Sequence, residues 1–385
     1  MAGLDFEDRL RLALREAAEQ EVQRGRVART IATGRSALLV SRRSLVPAAA
    51  AVLAVLLALV VATLLLTAGS ERDAVSAPKV VARFALADSL GAPVGAYGSV
   101  WVAETGQGRL LRVDPRSHRV TARLRVQGGV AMAPVGETLW ALDGEFPPRR
   151  NGFGGVLLRV DPRSDEVTAR TPLRTPSGEP FAGLDLAADH QSVWVLGTTA
   201  RWHNDDSLGL MRLDARTSRV TAAFPLPDGW GRVGIALRDD GLWAITADHR
   251  LLRFDAGTAE KLSEARLDLP SGVRDLDPAP GIIHFAGETL VTSTPGGLAG
   301  IEPHAALVVW RRHLGQSVPV WTEADGLIWA TASRRGPDRL VAAHPEDGRV
   351  VTSVELGAFG SAGITSLGGE LWITTAGGEA LVLRR

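Results

Sequence analysis

After about residue 90 the chain repeats one phrase seven times. A Trp-bearing apolar strand leads to a polar turn, a second apolar strand, an acid-plus-Pro turn and a strand that alternates apolar with polar. The clearest copies read SVWVAETGQGRLLRVDPRSHRVTARLRV (99–126), TLWALDG…GGVLLRVDPRSDEVTARTPL (138–173) and SVWVLGTT…SLGLMRLDARTSRVTAAFPL (192–226). A unit this short cannot cover both of its own faces. Each copy must stack against the next, so the array becomes a ring or a rod.

Residues 70–385 divided among seven copies give about 45 residues each, the length of a four-stranded propeller blade. The strand anchors are Trp101, Trp140, Trp194, Trp243, Val291, Trp329 and Trp372. The turn anchors are Asp114, Asp161, Asp214, Asp255, Glu302 and His344. The fifth copy keeps the pattern but has Val291 where the others have Trp. Inner strands such as VGIAL (233–237) are apolar throughout, as expected where blades press on both faces. The outer strand alternates instead, with Ala122, Leu124 and Val126 inward and Thr121, Arg123 and Arg125 outward. The last copy ends at its third strand, ALVLRR, while KVVARFAL (79–86) matches the outer-strand sequence RVTARLRV (119–126) position by position. The expected fold is therefore all-β: a seven-bladed β-propeller closed by an N-terminal strand that completes the last blade.

Leu45 to Ala68 is a 24-residue stretch without a charge. At about 1.5 Å per residue it spans a hydrocarbon core of roughly 30 Å. Thirteen of its residues are Leu or Val, each worth about −0.3 to −0.6 kcal/mol near the bilayer centre. A buried globular helix of that length without a polar edge is unusual, and a cleaved signal peptide fits the long preceding segment poorly. Six Arg lie between Arg24 and Arg43 with no acid among them, whereas charges after the span balance. The positive-inside rule then places the N-terminus in the cytoplasm and the propeller outside. The expected organisation is a cytoplasmic helix and Arg-rich linker at 1–44, a transmembrane helix at 45–68, a linker at 69–77 and the propeller at 78–385. Residues 5–21 form one short amphipathic helix, with Phe6, Leu10, Ala13, Leu14 and Ala17 on one face. It either lies on the membrane surface or docks a cytoplasmic protein or a second copy of this chain.

The 43 basic and 43 acidic side chains balance, so nothing in the charge suggests nucleic acid as a partner. The absence of Cys removes disulfides, Cys-ligated zinc, a thiol nucleophile and a lipid-modified Cys anchor. The Trp anchors read as wedges between blades. The Asp of RVDP reads as a turn cap, with Pro115 and Pro162 fixing φ.

The phrase W-V/A-x-x…L-L-R-V-D-P-x-S/T-x-x-V resembles the YVTN, NHL and virginiamycin B lyase-like group of propellers, commonly seven-bladed. That resemblance implies the fold over about 300 residues and says little about activity. In the lyase a His/Glu set with Mg²⁺ carries the reaction. Here His118, His190, His203, His249, His284, His304, His313 and His344 are scattered without such a pairing. The phrase also has a superficial likeness to quinoprotein dehydrogenases, many of which use adjacent cysteines at the cofactor. No cofactor is expected in this chain.

Where the copies differ, recognition is the expectation. Between its second and third strands, copy two inserts GEFPPRRNGFGG (144–155) and copy three inserts TTARWHNDDSLG (198–209). RTPSGEPFAG (174–183) and PDGWGR (227–232) connect neighbouring copies on the same rim. Phe146, Arg149, Arg150, Arg201, Trp202, His203, Asp205, Asp206 and Trp230 are the candidate ligand-binding rim, against the plainer reading of tolerated insertions. His203, Asp205 and Asp206 are three spaced polar residues, too weak a set to assign a metal. The chain reads as a single-pass membrane protein displaying an extracytoplasmic binding module for an unknown ligand or protein. An extracytoplasmic lyase or hydrolase, or a cell-envelope scaffold, is the alternative.

Overall fold

The computed structural model describes residues 76–385 apart from 127–130, 145–153, 202–207, 227–233, 247, 270–282, 316–319 and 333–337. They belong to the second of two compact units, Asp73–Arg385. The span expected at 45–68, the helix expected at 5–21 and the Arg-rich linker lie outside the described residues. Among the described residues no helix is long and apolar enough to cross a membrane.

Among the described residues, twenty-eight strands form seven four-stranded antiparallel sheets, as the repeat requires. Blade one sets the pattern, with strand a at Leu90–Ala96, b at Ser99–Glu104, c at Arg109–Asp114 and d at Arg119–Arg125. Blades two to six follow in chain order over 132–172, 181–225, 234–266, 283–313 and 321–357. Blade seven takes Ser361–Leu367, Glu370–Thr375 and Glu379–Arg384 from the end of the chain and its outer strand, Lys79–Ala85, from the beginning. The closing strand runs antiparallel to Glu379–Arg384, with Lys79 opposite Arg384 and Ala85 opposite Glu379. Ala82, Phe84 and Leu86 face inward as their match to Ala122, Leu124 and Val126 requires.

The core consists of seven separate apolar clusters, each at a junction between neighbouring blades. An open stack of seven blades would have only six junctions, so the seventh cluster is the mark of closure. At it, Trp372 of blade seven packs with Val100, Val102 and Leu111 of blade one. At the others, Trp101, Trp140, Trp194, Trp243 and Trp329 each meet the following blade. All six of these tryptophans are buried. Each removes on the order of 150–250 Å² from water, about 4–6 kcal/mol of gross stabilisation. The wedge reading of these residues therefore holds.

Blade five replaces its wedge by a different route. In most blades the strand-b Trp sits in a cross-strand row with a strand-c Arg and a small strand-d residue, as in Trp101, Arg112 and Ala122. In blade five that row reads Val291, Gly300 and Trp310. The aromatic has moved two strands outward, and Gly300 lets its indole lie across the sheet. A Cβ on Gly300 would stand 2.2 Å from the Trp310 ring. Trp310 Nε1 donates to the Pro345 carbonyl of blade six at 2.7 Å, and Trp321 fills the rest of the junction.

At the closing seam two glycines bring the innermost strands to backbone contact. A Cβ on Gly95 would stand 2.4 Å from the Ser366 carbonyl oxygen, and one on Gly363 would stand 2.5 Å from Ala92 Cα. Gly95 N donates to Thr365 Oγ1 and Thr374 Oγ1 to the Gly91 carbonyl, both at 2.9 Å. Phe84 of the closing strand stacks on His118 of blade one, with ring centroids 5.1 Å apart and planes 14° apart. This contact ties the N-terminal strand to both blades of the seam.

The acid-plus-Pro turns behave as expected from the sequence. Asp114 Oδ1 accepts the amides of Arg116 and Ser117 at 2.8 Å each. Asp161 accepts Arg163 N at 2.8 Å, Asp214 accepts Thr217 N at 2.7 Å and Asp255 accepts Thr258 N at 2.6 Å. Glu302 does the same for His304 N at 3.2 Å. Backbone amides hold the carboxyl pKa of Asp114, Asp161 and Asp255 below its ordinary value, and for Asp214 the Thr217 hydroxyl leads, followed by its amide.

Beyond each cap the backbone takes a shape that the repeated phrase does not mark. Four residues on, the chain enters the left-handed region at His118, Asp165, Ser218, Ala259, Ala306 and Gly348. The pairing of strands c and d then slips by one residue in every blade, leaving a bulge at Thr121, Thr168, Thr221, Leu262, Val309, Val351 and Val81.

Candidate functional site

Antiparallel order puts the b–c and d–a connections on one rim of the ring and the a–b and c–d turns on the other. The candidate rim from the sequence is the first of these. Of its nine residues only Arg201 is described; Phe146, Arg149, Arg150, Trp202, His203, Asp205, Asp206 and Trp230 lie outside the described residues. Arg201 is exposed, and its amide donates to Glu179 Oε1 at 3.3 Å. Glu179 belongs to a small turn in which Arg174 bridges Pro180 and Arg174 Nη1 donates to the Gly178 carbonyl at 3.0 Å. One boundary needs correction. Phe181, Ala182 and Gly183 are not loop but the buried start of strand a in blade three. Gly197 is the reason that strand packs so closely, since a Cβ there would stand 2.0 Å from the Ala182 carbonyl oxygen.

Beneath this rim the buried carboxylates at the ends of strand b are spent on ion pairs. Glu104 lies 3.7 Å from Arg109 Nη1, and Asp143 lies 3.4 Å from Arg170 Nη1. Arg170 also donates to the Arg125 carbonyl of blade one at 2.9 Å. These acids tie strands and blades together. Among the described residues no group of three or more His, Asp and Glu is placed to hold a metal ion.

Among the described residues, the opposite rim, which the sequence did not single out, carries at least two grooves. One, of about 350 Å³, lies on blade two beside Thr138, Arg159 and Asp161. Another, of about 340 Å³, lies between blades four and five. Its floor is Trp243 and Phe285. Arg253 lies over the Trp243 ring at 5.1 Å and Arg238 over the Phe285 ring at 5.0 Å. His304 closes the edge, 5.5 Å from the Trp243 centroid at 87°. Arg238 pairs with Glu288 and donates to the Gly287 carbonyl. Asp239, Asp240 and Glu346 stand exposed at the mouth. The arrangement offers an aromatic and guanidinium floor under an acidic lip.

No protein-family model and no curated protein matches this chain. Among solved structures it is similar to the crystal structure of BamB from Moraxella catarrhalis, with a TM-score of 0.49 and 14% sequence identity over 80% of this chain and 100% of that one.

Proposed function

We propose that the chain is a single-pass membrane protein that displays its propeller outside the cell as a ligand- or protein-binding module. The observation that carries this reading is the commitment of the repeated residues to structure. The strand-b tryptophans fill blade junctions and the RVDP-type acids cap turns, which leaves recognition to the connections that vary between blades. The resemblance of the W…RVDP phrase to YVTN, NHL and virginiamycin B lyase-like propellers supports the fold side of this reading. Membrane attachment through 45–68 and an inward N-terminus rest on the apolar run and the Arg excess before it.

Two experiments test the reading. In intact cells, added protease should remove an epitope tag placed after Arg385; a tag protected until the cells are lysed refutes the orientation. Replacing Arg149, Arg201 and Trp202 together with Ala should abolish capture of whatever extracytoplasmic partner the wild-type protein crosslinks. Undiminished crosslinking in that variant refutes the rim as the binding surface.

A further inference from the structure

Two junctions, between blades one and two and between blades three and four, are strapped in the same way. In blade one, Arg112 Nε donates to Ser99 Oγ and its Nη1 to Asp165 of blade two, both at 2.8 Å. In blade three, Arg212 Nε donates to Ser192 Oγ at 3.2 Å and to the Ala256 carbonyl of blade four at 2.8 Å. Ser99 and Ser192 each stand two residues before the wedge Trp. Blade four has Gly241 at that position, and blade five has Ala306 where Asp165 stands in blade two. Arg253 is therefore unstrapped. Its Nε is buried without a hydrogen-bond partner among the described residues, and its Nη2 reaches only Asp240, at 3.4 Å. The groove of about 340 Å³ opens where the strap would have closed.

The walls of this groove differ from those of blades one to three in the same direction. At the bulge, blades one to three carry Thr121, Thr168 and Thr221, whose hydroxyls donate to the carbonyls of Arg112, Arg159 and Arg212. Blades four and five carry Leu262 and Val309 there, 48% and 46% exposed. Val309 lines the groove. The strand that bears it, Leu307–His313, is the outer edge of its sheet, so its outward backbone groups are open to an added strand. At the mouth, the carboxylates of Asp239, Asp240, Glu288 and Glu346 outnumber the guanidiniums of Arg238 and Arg253, with Glu346 also 4.0 Å from His344 Nδ1.

We propose that the groove between blades four and five docks an extended, basic segment of a partner protein. Apolar side chains of that segment lie against Phe285 and Val309, and its Lys or Arg side chains meet the acidic lip. The site is on the rim opposite Arg201 and its neighbours, and it does not depend on that rim binding anything.

The test uses the full-length protein and two fluorescent synthetic peptides, one alternating Lys with Val and one alternating Glu with Val. The Lys/Val peptide should bind, and added salt should weaken it. Asp239→Asn, Asp240→Asn and Glu346→Gln combined should cost about tenfold in affinity. Gly241→Ser with Ala306→Asp rebuilds the strap and should reduce binding at least as much without lowering the melting temperature. Arg201→Ala should leave the peptide affinity unchanged. Equal affinity for both peptides, no binding by the wild type, undiminished binding in the strap variant, or binding to anionic lipid vesicles in place of the peptide would each overturn the proposal.

Discussion

Trp310 lies across Gly300, in the same cross-strand row as Val291, so blade five supplies from its outer strand the wedge that other blades supply from their second. Removing that ring should matter as much as removing a strand-b Trp. Trp310→Ala is expected to cost about 3–5 kcal/mol, read as a drop in the denaturation midpoint. Gly300→Ala should cost about 1–3 kcal/mol although it adds a single methyl, because its Cβ would stand 2.2 Å from the indole. Wild-type stability in Gly300→Ala would show that the ring does not rest there.

The seam between blades seven and one makes the second prediction. Deleting 78–87 removes the outer strand of blade seven together with the Phe84–His118 stack. The whole ring should lose stability in one cooperative transition, with no separate fraying of one edge. A chain lacking 78–87 that melts like the intact protein would contradict the closure.

A third prediction probes the same seam with one atom. Gly363→Ala puts a methyl where Ala92 Cα already stands 2.5 Å away, against backbone that cannot swing aside. Overpacking of this kind costs typically about 1–3 kcal/mol. Gly368→Ala, a surface glycine with open space around its Cβ position but a left-handed φ of 58°, is the control for glycine loss itself. The seam variant should lower the melting temperature more than the control.

The turn caps set the acid limb of stability. Asp114, Asp161, Asp214 and Asp255 have pKa values held below the ordinary value of about 3.9 for an unfolded Asp. Their contribution is therefore complete above that value and is lost as pH falls through the lower pKa values of the folded state. Urea midpoints should decline as pH drops from about 5 toward about 2. Replacing all four with Asn keeps the acceptor oxygens and removes the titration, so the decline should flatten. An unchanged slope in the Asn variant would assign the acid limb to other groups.

Much of the ring was legible because its signals repeat. Trp101, Trp140, Trp194 and Trp243 recur against a constant RVDP-like phrase, and period-two alternation located the outer strands, including the one displaced to Lys79–Ala85. The left-handed residue after each cap was not legible, because the turn imposes the conformation on His118, Asp165, Ser218 and Ala306 alike. Trp310 was hidden for a related reason. A template that seeks the wedge in strand b cannot see one returning from strand d. The groove at Arg253 is marked only by absences, Gly241 for a Ser and Ala306 for an Asp, and these mean nothing until the blades are in register. Of the rim residues chosen from insertions, Arg201 alone is described, and it stands exposed on the expected rim.

The pairing of Lys79–Ala85 with Glu379–Arg384 has a consequence for biogenesis. Lys79–Ala85 is synthesised about 300 residues before the strand it pairs with, and has no such partner until Glu379–Arg384 leaves the ribosome. Through nearly all of translation it must be kept from wrong neighbours, and chains halted before residue 379 are left unclasped and open to degradation.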